Sequence, residues 1–134
     1  MIVRVGKVTT VYPSSGKIVV KYEDKQNTSL PLPMLTMNGE YSMPSVGDRV
    51  ITLHMENGSS KGFVLGTYYG GKMQPKAASG YRKDFGDDAY VTCLNGVYAL
   101  NAKDVQFITP DGFIAVNELI ERLERIEEAL GLSH

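Results

Sequence analysis

The chain has 134 residues, of which 43% are hydrophobic and 22% charged, a composition typical of a globular protein and not of a disordered one. Its 14 basic and 15 acidic residues give a net charge of −1, which disfavours nucleic acid as the main partner because phosphate binding needs a basic surplus. The single cysteine, Cys93, excludes an internal disulfide framework, so packing or association between chains has to supply the stability.

The N-terminal sequence MIVRVGKVTT lacks the apolar core of a signal peptide. No stretch of the sequence is apolar for long enough to span a bilayer. We therefore expect synthesis in the cytoplasm without a signal peptide, which is compatible with a later place in an exported particle.

Residues 1–70 predict a compact β unit of short strands and short loops. The prolines within Leu30–Pro33 cannot donate to a strand ladder, so this segment is expected to be an edge strand or an irregular one. About five strands in such a short segment fit a small closed barrel of the OB type, because an open sheet would leave edges to manage. Strands are predicted at residues 2–11, 17–22, 50–55 and 62–68, with turns at residues 12–16 and at Asn57-Gly58.

Residues 71–86 predict a connector. This segment is rich in glycine, proline and small polar residues and has no hydrophobic period. It separates the barrel from two further segments, a β stem at residues 87–116 and a helix at residues 117–131.

The stem repeats with a period of eight residues, written from Asp87 as DDAYVTCL, NGVYALNA, KDVQFITP and DGFIAVNE. Each unit starts with turn-forming residues, and apolar residues at its third and fifth positions point to one side of a strand. Since no such unit can bury this stripe alone, we expect the units to stack; the alternative is an ordinary meander of three or four strands. The stripe consists of Ala89, Val91, Val97, Ala99, Val105, Phe107, Phe113 and Ala115.

The C-terminal helix is predicted to have Asn117 as its N-cap, Glu118 in its first turn and Gly131 as its terminator. At about two heptads it is too short to be stable alone in water, so it has to pack against something. It packs either on its own barrel or against the same helix of neighbouring chains, and its direct connection to the stem favours the second arrangement. The coiled-coil seam consists of Val116, Leu119, Leu123, Ile126 and Leu130.

No pattern of residues in the chain predicts catalysis. His134 is the last residue, and His54 is expected to be a strand residue that is exposed or hydrogen-bonded at the barrel. Cys93 has no histidine nearby in sequence and is expected to be structural, and Asp87-Asp88 is better explained as a turn than as a catalytic pair. Because no His, Cys, Asp or Glu stands in metal-ligand spacing, we expect no enzymatic activity, no cofactor and no metal.

One predicted loop contains half of the six methionines. Flexible thioethers suit a surface that adapts to a partner, so this segment is a candidate partner-binding loop. The alternative is a loop folded over the open end of the barrel, where it buries its own apolar groups. The loop residues are Met34, Leu35, Met37, Tyr41 and Met43.

Two stretches, PSVGDRVITL at residues 44–53 and GFVLGTYY at residues 62–69, closely resemble the OB-fold domain of the central spike proteins of contractile phage tails. These proteins form the baseplate assembly protein V family. The order of segments is also similar: an OB domain, a phrase like YRKDFGDD at residues 81–88, then octad repeats of an intertwined trimeric β-helix. The resemblance covers residues 1–115.

The resemblance implies a homotrimeric structural protein of a virion tail baseplate or contractile particle, made in the bacterial cytoplasm. Its barrel is expected to dock on a tail hub protein, and its contact with a membrane is expected to be only indirect. Together with the stem stripe and the helix seam, the resemblance predicts a trimer interface. This interface comprises Val97, Val105, Phe107, Phe113, Leu119, Leu123, Ile126 and Leu130.

The chain also departs from the family pattern. Some members carry a lysozyme domain between barrel and stem, and the connector here has no room for one. Many members end in a tip with a His-x-His iron site, and neither His54 nor His134 lies in such a motif. The departures predict either a separate tip protein at the C-terminal end or a subunit that mainly connects hub to tip.

An OB-fold module that binds single-stranded nucleic acid or oligosaccharide is the alternative function, with the C-terminal half as a dimerisation device. Such a module needs aromatic stacking platforms beside basic residues, for which Tyr12, Tyr22, Tyr68 and Tyr69 are candidates. The absence of tryptophan and the charge balance disfavour a polyanion as ligand.

Overall fold

The computed structural model of the protein describes residues 1–55 and 61–132 and divides between Pro75 and Lys76 into two compact units. Within these described residues the protein is mainly β, with one helix. The predicted turn at Asn57-Gly58 and the terminal His134 lie outside the described residues. In chain order the elements are β1 (Ile2–Tyr12), β2 (Lys17–Tyr22), β3 (Leu32–Pro33), β4 (Arg49–His54), β5 (Gly62–Thr67), β6 (Tyr81–Gly86), β7 (Ala89–Leu94), β8 (Val97–Asn101), β9 (Gln106–Thr109), β10 (Gly112–Ala115) and α1 (Val116–Ala129).

The first unit is a five-stranded sheet in the order β3-β2-β1-β4-β5, in which neighbouring strands are antiparallel. The long strand β1 pairs with β4 along its first half and with β2 along its second half. A register shift between Val8 and Thr10 marks a bulge in β1, a feature that increases the local bend and twist. The bulge thus helps one long strand to serve both halves of a curved sheet.

The two edges of this sheet approach each other, so the sheet is a nearly closed barrel. Directly after β3, Met34 forms a parallel bridge with Val64 of β5, and the Leu35 N–H donates to the Val64 carbonyl at 3.3 Å. Strand β3 itself has only the two residues Leu32 and Pro33 and lies at the end of the strand order. The prediction of an edge or irregular strand at the prolines is therefore confirmed.

The core of the first unit consists of seven buried apolar residues on the inward side of the sheet. The core residues are Val8, Ile18, Val20, Tyr22, Leu32, Val50 and Val64.

Gly6 lies at the point of β1 where the pairing passes from β4 to β2. A Cβ atom added there would lie 2.5 Å from the Lys21 carbonyl oxygen and 2.5 Å from Val20 Cγ1, so only glycine fits.

The second unit contains a three-stranded antiparallel sheet, β6-β7-β8, and a separate hairpin, β9-β10. Asp87 and Asp88 turn the chain with φ of 50° and 59°, and Asn95 and Gly96 do so with 52° and 78°. Two successive residues of positive φ are typical of the tight two-residue hairpin turn. Two of the four predicted octad turns, those at Asp87 and Asn95, are thus in place. Strand β6 occupies residues 81–86 of the predicted connector.

The helix begins one residue before its predicted N-cap. Its N-cap is Ala115, without a side-chain capping bond, so the prediction of Asn117 as N-cap is wrong. The physical reason is that the Asp104 carboxylate accepts the Asn117 backbone N–H at 3.2 Å and so satisfies a free donor of the first turn. The Asn117 side chain instead donates to the Lys103 carbonyl at 3.1 Å.

The helix ends at Ala129 with Leu130 as its C-cap, and the predicted terminator Gly131 follows with a φ of 71°. The Gly131 N–H donates to the Glu128 carbonyl at 3.1 Å, and the Leu132 N–H donates to the Glu127 carbonyl at 2.8 Å. This pair of bonds is the Schellman motif, which satisfies carbonyls of the last turn and favours glycine at the left-handed position.

Candidate functional site

The second unit has no interior of its own. From Lys76 to Leu132 no residue is buried, whereas the buried residues of the first unit lie between Gly6 and Val64. Apolar burial is the main force that offsets the conformational entropy of folding. The exposed apolar side chains of β8, β9, β10 and α1, which we call the assembly surface, are therefore the candidate functional site.

The helix contributes one apolar stripe to the assembly surface. Leu119, Leu123, Ile126 and Leu130 follow the 3-4 spacing of one helix face and are 39%, 49%, 56% and 69% exposed. Beside this stripe Arg122 pairs with Glu118 at 2.8 Å, one turn away on the surface. A helix of 14 residues with an uncovered apolar stripe is marginal in water and gains stability by packing.

Within one chain the strands do not place the octad stripe on a single face. Val91 pairs with Leu100, and Thr92 pairs with Ala99, so Val91 and Ala99 lie on opposite faces of the β7-β8 sheet. In the β9-β10 hairpin Phe107 pairs with Ile114, which places Phe113 on the other face. The predicted interface residues of the strands are thus divided between two faces.

Both faces of these strands carry exposed apolar side chains. Val97, Phe107 and Phe113 are 64%, 61% and 66% exposed, and Val105 is half-buried. Tyr98 and Ile108, which the predicted stripe omits, are 79% and 74% exposed. The sequence contains a signal for Tyr98, because VYAL at residues 97–100 is a continuous apolar run, typical of strands buried on both faces. Ile108 directly follows Phe107 between the polar residues Gln106 and Thr109, so no such run marks it.

The partner-binding loop has two parts. Met34 and Met43 are partly buried and pack against the barrel core, as the alternative of a loop folded over the barrel predicts. Met37 and Tyr41 are both 69% exposed, and Leu35 is 40% exposed, so these three remain available to a partner. The Tyr41 hydroxyl donates to the Pro13 carbonyl at 3.3 Å, which holds the exposed part of the loop near the β1-β2 turn.

A polar cluster lies inside the barrel around His54. The His54 Nε2 lies 2.9 Å from the Tyr22 hydroxyl and 3.0 Å from the Thr52 hydroxyl. Arg4 stacks over the Tyr22 ring at 3.4 Å and pairs with the Asp24 carboxylate at 2.8 Å. His54 is therefore hydrogen-bonded at the barrel, as predicted, but it is buried.

The hydrogen-bonded groups of this cluster are closed to solvent. Tyr22, Thr52 and His54 are at most 1% exposed, so no substrate atom reaches the pair formed by Tyr22 and His54 in this conformation. Burial, together with the charge of Arg4, lowers the pKa of His54, and burial raises the pKa of Tyr22. Both shifts favour the neutral forms that share this hydrogen bond.

We expect acid to destabilise the barrel through His54. Because its pKa is lowered on folding, the unfolded chain binds a proton first, so stability is lost as pH falls below the ordinary value of 6.5. Thermal unfolding at about pH 7.5 and pH 5 measures the loss, and His54→Gln, which cannot titrate in this range, should show a smaller one. An equal loss in both proteins would contradict the expectation.

Among the described residues no group of three or more His, Cys, Asp and Glu side chains is placed to hold a metal ion. In the same part of the chain, no helix combines the length and the apolar character needed to cross a bilayer. No protein-family model matches the chain, and no curated protein sequence matches it.

Proposed function

We propose that the protein is a homotrimeric structural subunit of a contractile tail baseplate, forming the central spike or the spike base that links hub to tip. One observation carries this proposal: from Lys76 to Leu132 no residue is buried. Fifteen large apolar side chains of this segment are exposed in the single chain. Other chains have to cover such a surface, and further copies of the same chain are the partners that are present wherever this chain is made.

The first unit supports the OB assignment on which the resemblance depends. A five-stranded, partly open barrel is the architecture of the OB fold. The parallel bridge between Met34 and Val64 closes the sheet between β3 and β5, while all other pairs are antiparallel. In the proposed particle this barrel docks on the tail hub, with Leu35, Met37 and Tyr41 as its available loop residues.

The helix seam spans two heptads of different character. The first has Val116 at a and Leu119 at d, a combination typical of dimers. The second has Leu123 at a and Ile126 at d, a combination that shifts a coiled coil to trimers or tetramers. Three-fold association is the arrangement that agrees with the resemblance, and it gives each helix two neighbours.

The proposed mechanism is mechanical. In the trimer the octad strands of the three chains wind about one axis, which covers the two exposed faces of β8, β9 and β10. The three helices emerge together at the end of this stem and close it. Interlocked strands of this kind transmit force along the axis of the tail, and a separate tip protein then meets the membrane.

The mass of the particle in solution tests the proposal. Sedimentation equilibrium should give three times the 14.7 kDa of one chain over a wide range of concentrations. A monomer would contradict the proposal, and a dimer would favour the alternative of an OB-fold binding module.

We expect no binding of single-stranded DNA or RNA at physiological salt. The net charge is −1, and Tyr22, one of the candidate stacking residues, is buried in the core. Tyr69 is exposed and has no basic residue within two positions in sequence, and Tyr12 is exposed with one basic strand partner, Lys17. Fluorescence anisotropy with a labelled oligonucleotide measures the affinity, and binding that weakens steeply with added salt would support the alternative function.

A further inference from the structure

The outside of the barrel carries an uncharged apolar patch on three adjacent strands. Val3 of β1 pairs with Leu53 of β4, which pairs with Phe63 of β5, so these side chains form one row on the outward face. Val3 and Phe63 are 63% and 40% exposed. We call this surface the outer patch; it comprises Val3, Val5, Ile51, Leu53, Phe63 and Leu65.

Two of the strands behind the outer patch, β1 and β4, carry polar side chains on their inward side at this end of the barrel, whereas β5 contributes Val64 to the apolar core. Arg4, Thr52 and His54 alternate with the patch residues and point into the barrel, where Arg4 has a side-chain exposure of 9%. An antiparallel sheet with one face exposed to solvent shows the opposite pattern, with apolar residues inward and polar residues outward. The reversal at this end of the barrel indicates that the outward face is also covered in the working protein.

We propose that the outer patch contacts the outer patches of other copies of this chain. This inference rests on the proposed homotrimer and adds a second contact to it, between barrels. Three strands that contribute three residues each present roughly 150 Å² of sheet, from strand spacings of about 4.8 Å and 3.4 Å per residue. A free-standing partner needs about 800 Å² on each side, so the outer patch alone is too small to hold one.

Copies that are already joined do not need that area. Association of the second units tethers the barrels, and tethering raises their effective concentration to roughly the millimolar range, where a small apolar contact persists. The barrel contact is therefore the kind of interface that a trimer held elsewhere can complete.

Charge also favours identical copies as the occupant. When the same face of several copies meets, like residues come close, so a charge on that face would repel itself. The outer patch has no charged residue, whereas the next outward pair along β1 and β4, Lys7 and Arg49, is basic on both strands. The uncharged region thus ends where contact between copies would become unfavourable.

Thiol labelling of the full chain tests this inference. Cys93 is first replaced by serine, and a single cysteine is then placed by Val3→Cys or, as the matched control, by Val46→Cys. Both valines belong to the first unit and are 63% and 65% exposed in the single chain. In the trimer we expect a small maleimide to label position 3 at least about tenfold more slowly than position 46, since thiol reactivity follows exposure.

Repeating both measurements on proteins that also carry Leu123→Glu shows whether other copies or the chain itself covers the outer patch. If other copies cover the outer patch, the two labelling rates converge once the chains are monomeric; if they stay apart, the chain covers its own patch and the inference is wrong. Equal rates in an intact trimer also overturn it while leaving the trimer in place. A wild-type chain that sediments as a monomer removes the proposed function and this inference together.

Discussion

Replacing Leu123 by glutamate is expected to convert the trimer into monomers. Leu123 lies in the middle of the helix seam and is 49% exposed in the single chain, so the monomer tolerates a carboxylate there. At the centre of a helix bundle, the same substitution brings three carboxylates together away from water. Burying unpaired charges costs several kcal/mol for each ion, which is comparable to the whole stability of a small assembly.

Sedimentation equilibrium measures this effect, and two variants control for it. Arg125→Glu adds the same carboxylate in the same helical turn but outside the seam, and it should leave the mass at three chains. Leu123→Met conserves the volume of the side chain and should also preserve the trimer, because such exchanges usually cost less than about 1.5 kcal/mol. A Leu123→Glu protein that remains trimeric would show that the helix is not the association site.

Much of the barrel could be predicted from the sequence because its strands alternate. In β4, Val50, Thr52 and His54 are buried while the residues between them are not, which is the period of two expected for a strand. The position of β3 followed from its prolines, which lack a ladder donor. These features are local, and so the sequence alone contains them.

The pairing of the octad strands is not a local property. A period of eight fixes where the turns lie, and the turns at Asp87 and Asn95 are in place. In a stack of parallel units, residues eight apart lie on the same face. In the antiparallel pair β7-β8, by contrast, Val91 is paired with Leu100, the neighbour of Ala99 in the chain. Because neighbouring residues of a strand point to opposite faces, Val91 and Ala99 lie on opposite faces. Periodicity cannot distinguish the two pairings, and the trimeric stem stays a prediction.

Strand β6 and the start of the helix depend on contacts that the apolar pattern of the sequence does not show. The segment YRKDFG has no apolar alternation, yet Arg82 stacks over the Tyr90 ring of β7 at 3.8 Å and pairs with Asp84 at 3.0 Å. Likewise the Asp104 carboxylate reaches the Asn117 N–H from another part of the chain. The connector was predicted from its composition, but pairing with β7 makes part of it a strand. The N-cap was predicted from the residue type of Asn117, but the Asp104 side chain caps this end of the helix instead.

Cutting the chain between Pro75 and Lys76 is expected to give one fragment that folds alone and one that does not. The first fragment keeps all seven residues of the apolar core and the nearly closed sheet. The second has no buried residue, so its strands should be stable only while several copies cover one another. Circular dichroism across a dilution series measures both: the β signal of the first should be constant, and that of the second should vanish on dilution.

Two phenylalanines of similar exposure sharpen the dilution experiment. Phe107 in the predicted stem and Phe85 in β6 are 61% and 63% exposed in the single chain. If copies cover the stem, Phe107→Ala removes a buried ring from each chain, at a cost of about 3–5 kcal/mol per truncation, and shifts the loss of signal to much higher concentration. Phe85→Ala should leave the transition nearly unchanged, since exposed positions usually change stability by at most about 0.5 kcal/mol. A second fragment that keeps its β signal as a monomer would mean that the octads form a self-sufficient meander, and the spike proposal would lose its main support.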